Sequence, residues 1–407
     1  MRRPRPGPLG KVRDMTRLSE LDRRSVAALL ALAVAAFCFV TAETMPVGLL
    51  SEIAADLKVP PSQVGLLVTG YAITVVVATL PLVRAVARVP RRPLMLVLMA
   101  LMVAATALSA AATGYWMLLG ARVLGALAQA VFWGVVAPVA AGMFAVGVRG
   151  RVMAVVFTGG SLGPMLGVPA GTWLGQVAGW QATFLALAGL GLLALLTLAA
   201  ALPSRPTRNE HAGRGTTPDA RRYALVLATS VLTVGGFFAV FTYTAEFVTA
   251  VAGIAAALMG PLLLARGIVD FGGIAAGGIL SDRNQRLAVL LPSVLLTATL
   301  AAMFALGTNP WVAGGAVVAT GLAMGMYTPA IQNRVMEFAP GGTDTASAGS
   351  SIAYNVGIAL GSGLGGLTIA QFGTRGIALT GALMAAAGLA AALATSATVR
   401  RRETVGA

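Results

Sequence analysis

Gly159-Gly160-Ser161-Leu162-Gly163-Pro164-Met165-Leu166-Gly167-Val168-Pro169-Ala170-Gly171-Thr172-Trp173-Leu174-Gly175 sets a glycine at every fourth position: 159, 163, 167, 171 and 175. On a helix that spacing leaves one face bare, so another backbone can lie close against it. In water each glycine would weaken the helix. In lipid, close backbone packing is what drives helix association, and the ridge is an asset. The same device returns at Gly357, Gly361 and Gly365. Two such helices in distant parts of one chain point to a duplicated membrane fold.

The bulk composition agrees. The 407 residues are 57% hydrophobic and 11% charged, with a mean hydropathy of +0.84. Soluble domains carry about 25% charged residues, so this chain cannot solvate an ordinary surface. A span needs roughly 20 apolar residues. Twelve stretches qualify, near 25–47, 63–83, 93–112, 115–140, 151–177, 180–202, 223–247, 256–280, 287–307, 311–336, 346–370 and 376–398. Only helices and closed barrels satisfy backbone groups in lipid, and long unbroken runs of Leu, Ala and Gly exclude the alternating barrel pattern. The expected fold is therefore an all-α membrane protein, with twelve transmembrane helices in two six-helix pseudo-symmetric bundles.

A net charge of +15 raises the question of nucleic acid. Its distribution answers it. With the N-terminus inside, 25 of the 29 Lys and Arg residues fall in inner tails and loops. Lys58 and Arg375 fall outside; Arg122 and Arg266 lie within spans. This is the positive-inside pattern, so both termini are expected in the cytoplasm and no nucleic-acid partner is expected. Cys38 and His211 are each alone of their kind, which leaves no internal disulfide and no His/Cys metal site. No cofactor is expected. Val40-Thr41-Ala42 looks like a signal-peptidase site, but the apolar run continues past it, and the charge pattern needs this span retained.

Residues 203–222 (PSRPTRNEHAGRGTTPDARR) form the one long polar interior stretch and read as a flexible cytoplasmic linker. The expected organisation is a basic tail over 1–24, a six-helix bundle over 25–202, the linker, a second bundle over 223–398 and a tail over 399–407. Gly171 precedes Gln176 by five residues and Gly366 precedes Gln371 by five; Gly179 and Gly373 follow. An even number of spans per half makes this a parallel repeat about the membrane normal. In such proteins the substrate site lies between the halves near mid-membrane, and rocking of the halves alternates access. A lipid bilayer and a small-molecule substrate are thus the expected partners, and a monomer the expected state.

Ionisable residues within spans are functional candidates by default. Glu43 lies roughly 27 Å above Ser25 and Arg122 roughly 10 Å below the outer surface, so the two can meet. Arg122 shares a helical face with Gln129 and Trp133. This group reads either as a proton- or substrate-linked site or as an ion pair locking spans 1 and 4. Arg266 and Asp270 share a face of span 8, and Asp270 sits near mid-bilayer. They read either as a proton carrier and its tuning cation or as a pair that neutralises itself for insertion. Glu246 reads as a rim charge, with Tyr243 on the same face lining the mouth. The cavity aromatics Trp133, Tyr243, Tyr327 and Tyr354 suit amphipathic cargo and suit packing equally. Pro164 and Pro169 break the ladder of span 5, which is expected to kink between them. Its ridge serves either sliding contact between the halves or static packing.

These residues resemble the major facilitator superfamily, and more narrowly its twelve-span drug:proton antiporters of the bacterial sugar-efflux and chloramphenicol-efflux type. Gly159, Gly163, Pro164 and Gly167 match the antiporter signature gxxxGPxxGG, with Val168 in place of its last glycine. Leu118–Gly125 is similar to the span 4 motif lxxxRxxqG, which implies a part for Arg122 in proton coupling. Glu43-Thr44-Met45-Pro46 with Gly65-Leu66-Leu67-Val68-Thr69 resembles the span 1–2 signature, and Asn355–Gly361 the span 11 segment; Asn355 joins the candidate cavity residues. The loop after span 2 keeps Arg91 and Arg92 of the gating motif but has Ala87 where an Asp is expected; the second half keeps Asp282 and Arg283.

The resemblance implies a secondary transporter of the inner (plasma) membrane, exporting a drug-like, antibiotic or sugar-like small molecule in exchange for protons. Proton-independent efflux of a sugar or metabolite is the alternative. A non-transporting receptor or scaffold would need a soluble domain that the chain lacks. No catalytic set is visible, so no enzyme is expected.

Overall fold

A computed structural model describes residues 8–144, 149–203, 216–341 and 343–403. The described residues are helical throughout, without strands: α1 (Pro8–Gly48), α2 (Leu50–Leu57), α3 (Pro61–Ala85), α4 (Arg91–Ala110), α5 (Tyr115–Gly142), α6 (Arg149–Leu162), α7 (Val168–Ala178), α8 (Trp180–Ala201), α9 (Ala220–Phe241), the single turn α10 (Thr244–Glu246), α11 (Met259–Arg283), α12 (Gln285–Leu306), α13 (Pro310–Glu337), α14 (Thr343–Phe372) and α15 (Gly376–Glu403). Eleven helices among these residues are long and apolar enough to cross a membrane. The twelfth expected span is built from α6, a π turn at Gly163–Gly167 and α7, so no single regular helix covers it. Pro164 has no N–H to give to the ladder, and the wider turn absorbs that loss before Val168 resumes the helix.

Some boundaries differ from the expectation. Helix α1 begins at Pro8, inside the expected tail. Helix α9 begins at Ala220 because Asp219 caps it, accepting from the backbone N–H groups of Arg221 and Arg222. Span 7 does not run unbroken to 247: it ends at Phe241 and continues through α10 and a π turn at Phe247–Val251. His211 and most of the linker lie outside the described residues.

The glycine ridge turns toward α1. A Cβ at Gly159 would strike the backbone of Ala33; at Gly167, the Thr41 side chain; at Gly171, Met45; at Gly175, Leu49. The second ridge does the same to α9. Gly357 lies on Val231 and Val234, Gly361 on the backbone of Gly235, and Gly365 on Ala239 and Tyr243. Each ridge thus packs span 5 or span 11 on the first span of its own half, the static-packing alternative. Gly179 (φ 85°) and Gly373 (φ 77°) close the two ridged helices, their N–H groups donating to Gly175 and Ile369 at 3.0 and 3.1 Å. Positive φ at both positions is what glycine supplies.

Contact between the two sets of six is made elsewhere. Helix α14 packs along α3, and α11 along α7 and the π turn. Here the glycines belong to α11: a Cβ at Gly267 would meet the backbone of Met165, and Gly260 lies by Pro169 and Trp173. Thr69 and Ser362 share a hydroxyl hydrogen bond of 2.7 Å, and Gln176 donates to the carbonyl of Ala256 at 2.9 Å. Tyr243 is fully buried, wedged between Gly65 and Gly366, and donates to the carbonyl of Ser362 at 2.8 Å. The hydrogen bonds named here lie toward the Pro61 end of α3, the Ala178 end of α7 and the Phe372 end of α14.

Candidate functional site

Pro46 begins the site. It has no N–H, so the carbonyl of Ala42, four residues back, loses its helical partner. Arg122 supplies one: its Nη1 donates to that carbonyl at 2.6 Å, and Nη2 donates to the carbonyl of Glu43 at 2.7 Å. The guanidinium lies 4.7 Å from the ring centroid of Tyr71 on α3. The hydroxyl of Tyr71 donates to Oε1 of Gln129 at 2.8 Å, which leaves the Gln129 amide nitrogen free to donate to Oε2 of Glu43 at 2.7 Å. Glu43, Arg122, Gln129 and Tyr71 are all buried. Spans 1, 2 and 4 are thereby joined at one point.

The expected meeting of Glu43 and Arg122 therefore takes an unexpected form. The cation bonds the backbone of span 1, while the carboxylate takes a neutral amide. Among the described residues the ion pairs are Arg222–Asp219 and Arg334–Glu337, both at the terminal side of span 7 and span 10.

The second half has its own buried cation. Arg266 on α11 is 4% exposed and lies over the rings of Phe237 and Phe241 on α9, at 5.0 and 4.6 Å from their centroids. Its Nε is buried without a partner, and it makes no ion pair with half-buried Asp270. Tyr354 on α14 stands edge-on to Phe238 and within electrostatic range of Arg266, Asp270 and, from the other half, Glu43. Tyr327 is buried on α13, facing Ser230 and Thr233 of α9. Asn355 is buried, donating to the carbonyl of Ser351 at 3.0 Å.

The remaining candidates are placed as follows. Trp133 is half-buried and stacks on Phe157 at 6.1 Å, tying α5 to α6. Tyr243 belongs to the contact between the halves, as described above. Gly159, Gly163, Pro164 and Gly167 build the ridge and its π turn. Arg92 donates to the carbonyl of Ala199 at 2.7 Å, and Arg91 is half-exposed beside it. Asp282 and Arg283 are exposed at the end of α11. Glu246 is half-buried in α10.

Sequence reading gave no role to Tyr71 or Ser362, and took Pro46 and Thr69 only as parts of the span 1–2 signature. Pro46 carried a usable signal, since a proline inside a span exposes the carbonyl four residues earlier to a buried donor. Tyr71 and Ser362 carried none, because their roles depend on partners 58 and 293 residues away.

The comparisons with known proteins fit this architecture. Residues 32–352 match the family model described as the Major Facilitator Superfamily. An uncharacterized MFS-type transporter of Bacillus subtilis (strain 168), YtbD, is 33% identical over 377 residues, 90% of this chain and 94% of that protein. A probable sugar efflux transporter of Helicobacter pylori (strain P12) is 31% identical over 350 residues, 86% of this chain and 90% of that protein. Among solved structures, a bacterial homolog of the human lysosomal transporter Spinster, inward-facing and unoccupied, shares the fold. Its TM-score is 0.72 at 15% identity, over 92% of this chain and 97% of that one. With the family model spanning most of the chain and the helix order and pseudo-symmetry in agreement with it, this protein belongs to the Major Facilitator Superfamily of transporters.

Proposed function

We propose that this protein exports a small molecule in exchange for protons, by alternating access between halves 25–202 and 223–398. The observation that carries the reading is the state of Glu43. Its carboxylate has one direct partner, a neutral amide, while the nearby guanidinium is engaged with backbone carbonyls. No ion pair holds it in one protonation state, as a group that must gain and lose a proton each cycle requires. The relatives named as probable sugar efflux transporters support outward transport and a small polar cargo. The basic bias of the tails and of the loops on their side supports cytoplasmic termini in a plasma membrane. Close contact at the end away from the termini corresponds to the outward-closed state of the cycle.

Purified protein in liposomes, with an imposed pH gradient, tests this. Substrate flux in the wild type should follow the gradient, and Glu43→Gln should abolish that dependence. Flux indifferent to the gradient in the wild type would leave facilitated efflux of a sugar or metabolite as the function. Unchanged gradient dependence in both Glu43→Gln and Asp270→Asn would remove these acids from the mechanism.

A further inference from the structure

A second feature lies in the other half, and it concerns the cargo. Arg266 sits 4% exposed in the first third of α11, with a guanidinium that has found aromatic faces but no acceptor. A guanidinium presents five N–H donors in a fixed planar fork. Phe237 and Phe241, themselves stacked 4.8 Å apart, lie together on one side of it and offer no hydrogen-bond acceptor. In the first half Arg122, whose Nε is likewise buried without a partner, has aromatic support from Tyr71 but uses both terminal nitrogens on backbone carbonyls. Asp270, four residues along the same helix, is near enough to interact electrostatically, yet forms no ion pair.

Burying a cation with its donors unmet is costly, and a native structure that keeps such a group calls for an explanation. The backbone around it is fixed. A Cβ at Gly321 would strike the carbonyl of Arg266, and one at Gly325 that of Asp270, so α13 clamps this stretch of α11 in place. The guanidinium is thus held in position with no acceptor on its donors. Carboxylates and other oxyanions match its planar fork bidentately, whereas a neutral hydroxyl meets only one donor at a time.

We propose that Arg266 is the anchor for an acidic group on the cargo, so that the substrate class is a small organic anion. Phe237, Phe241, Phe238 and Tyr354 form a packed aromatic cluster beside Arg266, suited to an anion that carries an apolar body. This rests on the transport reading for the word cargo, but the site itself is a binding claim and is tested as one.

Thermal stabilisation of the full chain in lipid nanodiscs reads binding directly, without a pH gradient. The probes are two matched pairs, glucuronate with glucose and benzoate with benzyl alcohol. In the wild type the acid of at least one pair should bind ten-fold or more tightly than its neutral partner. In Arg266→Gln that preference should fall below two-fold. Arg266→Lys, which keeps the charge without the fork, should retain part of it. Asp270→Asn removes the competing negative charge and should widen it. Equal binding of acid and neutral probes to the wild type, no binding of either acid, or an unchanged preference in Arg266→Gln would each overturn the proposal. The comparison on the wild type decides the matter even if a variant fails to fold. Acid binding intact in a protein that shows no transport would sink the transport reading and leave the anion site standing.

Discussion

Gln129 on span 4 donates to the carboxylate of Glu43 on span 1 at 2.7 Å, and the donating end is fixed by Tyr71, whose hydroxyl occupies the amide oxygen. The pair is a neutral donor on a buried acid. Replacing Gln129 by Leu leaves that acid without its partner, a loss of about 1–3 kcal/mol for an unsatisfied buried group. In a Glu43→Gln background the same replacement strands no acid, and the loss of the Tyr71 hydroxyl's acceptor is common to both backgrounds. Thermal unfolding of the four proteins in nanodiscs should therefore give a coupling of about 1–2 kcal/mol between the two positions. A coupling near zero would mean that the two side chains do not depend on each other.

Arg122 stabilises a carbonyl that Pro46 has exposed. The expected consequence is a conditional effect. Arg122→Met should destabilise the wild type by about 3 kcal/mol, because the carbonyls of Ala42 and Glu43 both lose a charged donor. In Pro46→Ala, the restored N–H can bond the Ala42 carbonyl, and the same substitution should be milder by about 1 kcal/mol. Equal losses in both backgrounds, measured by thermal unfolding, would refute this account of the proline.

How far the sequence revealed the molecule depends on the range of the interaction. The ridges at Gly159–Gly175 and Gly357–Gly365, and the paired stops at Gly179 and Gly373, are local facts of spacing and φ, and the structure bears out the symmetry read from them. Which surface each ridge covers was not local. Sliding contact between halves and static packing need the same bare face, and only the position of α1 and α9 separates them. Arg266 and Asp270 were matched by their spacing on one helix. Spacing says nothing of Phe237 and Phe241 on α9, which take the cation instead. Tyr243 likewise reads as a mouth residue on its own helix and is buried by Gly65 and Gly366 from two others.

The ridge makes a graded prediction among glycines. Gly159→Val and Gly361→Val would drive side chains into the backbones of Ala33 and Gly235, and both should abolish a folded, monodisperse protein. Gly120, Gly189 and Gly278 have open space where a Cβ would go. Alanine there should be neutral or stabilising by up to about 1 kcal/mol. Size-exclusion profiles and melting temperatures check the contrast; tolerance of valine at 159 would remove the ridge's packing role.

Glu52 on α2, outside the spans, gives the pH dependence. Burial pushes its carboxyl above the usual carboxylate range, partly offset by a backbone hydrogen bond and by the Gln176 side chain. The folded state then holds this proton more tightly than the unfolded chain does. Stability contributed by the group is full at low pH and is lost as pH rises through the raised value. Glu52→Gln should therefore raise the melting temperature at pH 7, and the gain should vanish below about pH 4, where both states are protonated. A gain that persists unchanged to low pH would show that ionisation is not its cause.

Thr69 and Ser362, 293 positions apart, meet at 2.7 Å on the side away from the termini, where the halves are in contact. If the halves part there in each cycle, a covalent tie must stop transport. Side-chain oxygens this close hold their Cβ atoms no more than about 5.5 Å apart, so a small backbone adjustment brings them into disulfide range. In a Cys38→Ala background, Thr69→Cys with Ser362→Cys should crosslink under mild oxidation. Flux in liposomes should then fall ten-fold or more and recover on reduction with dithiothreitol. Each single cysteine should transport at close to the parental rate under the same oxidant. Full flux through a quantitatively crosslinked protein would mean that this contact never opens, and alternating access by separation of α3 from α14 would have to be abandoned.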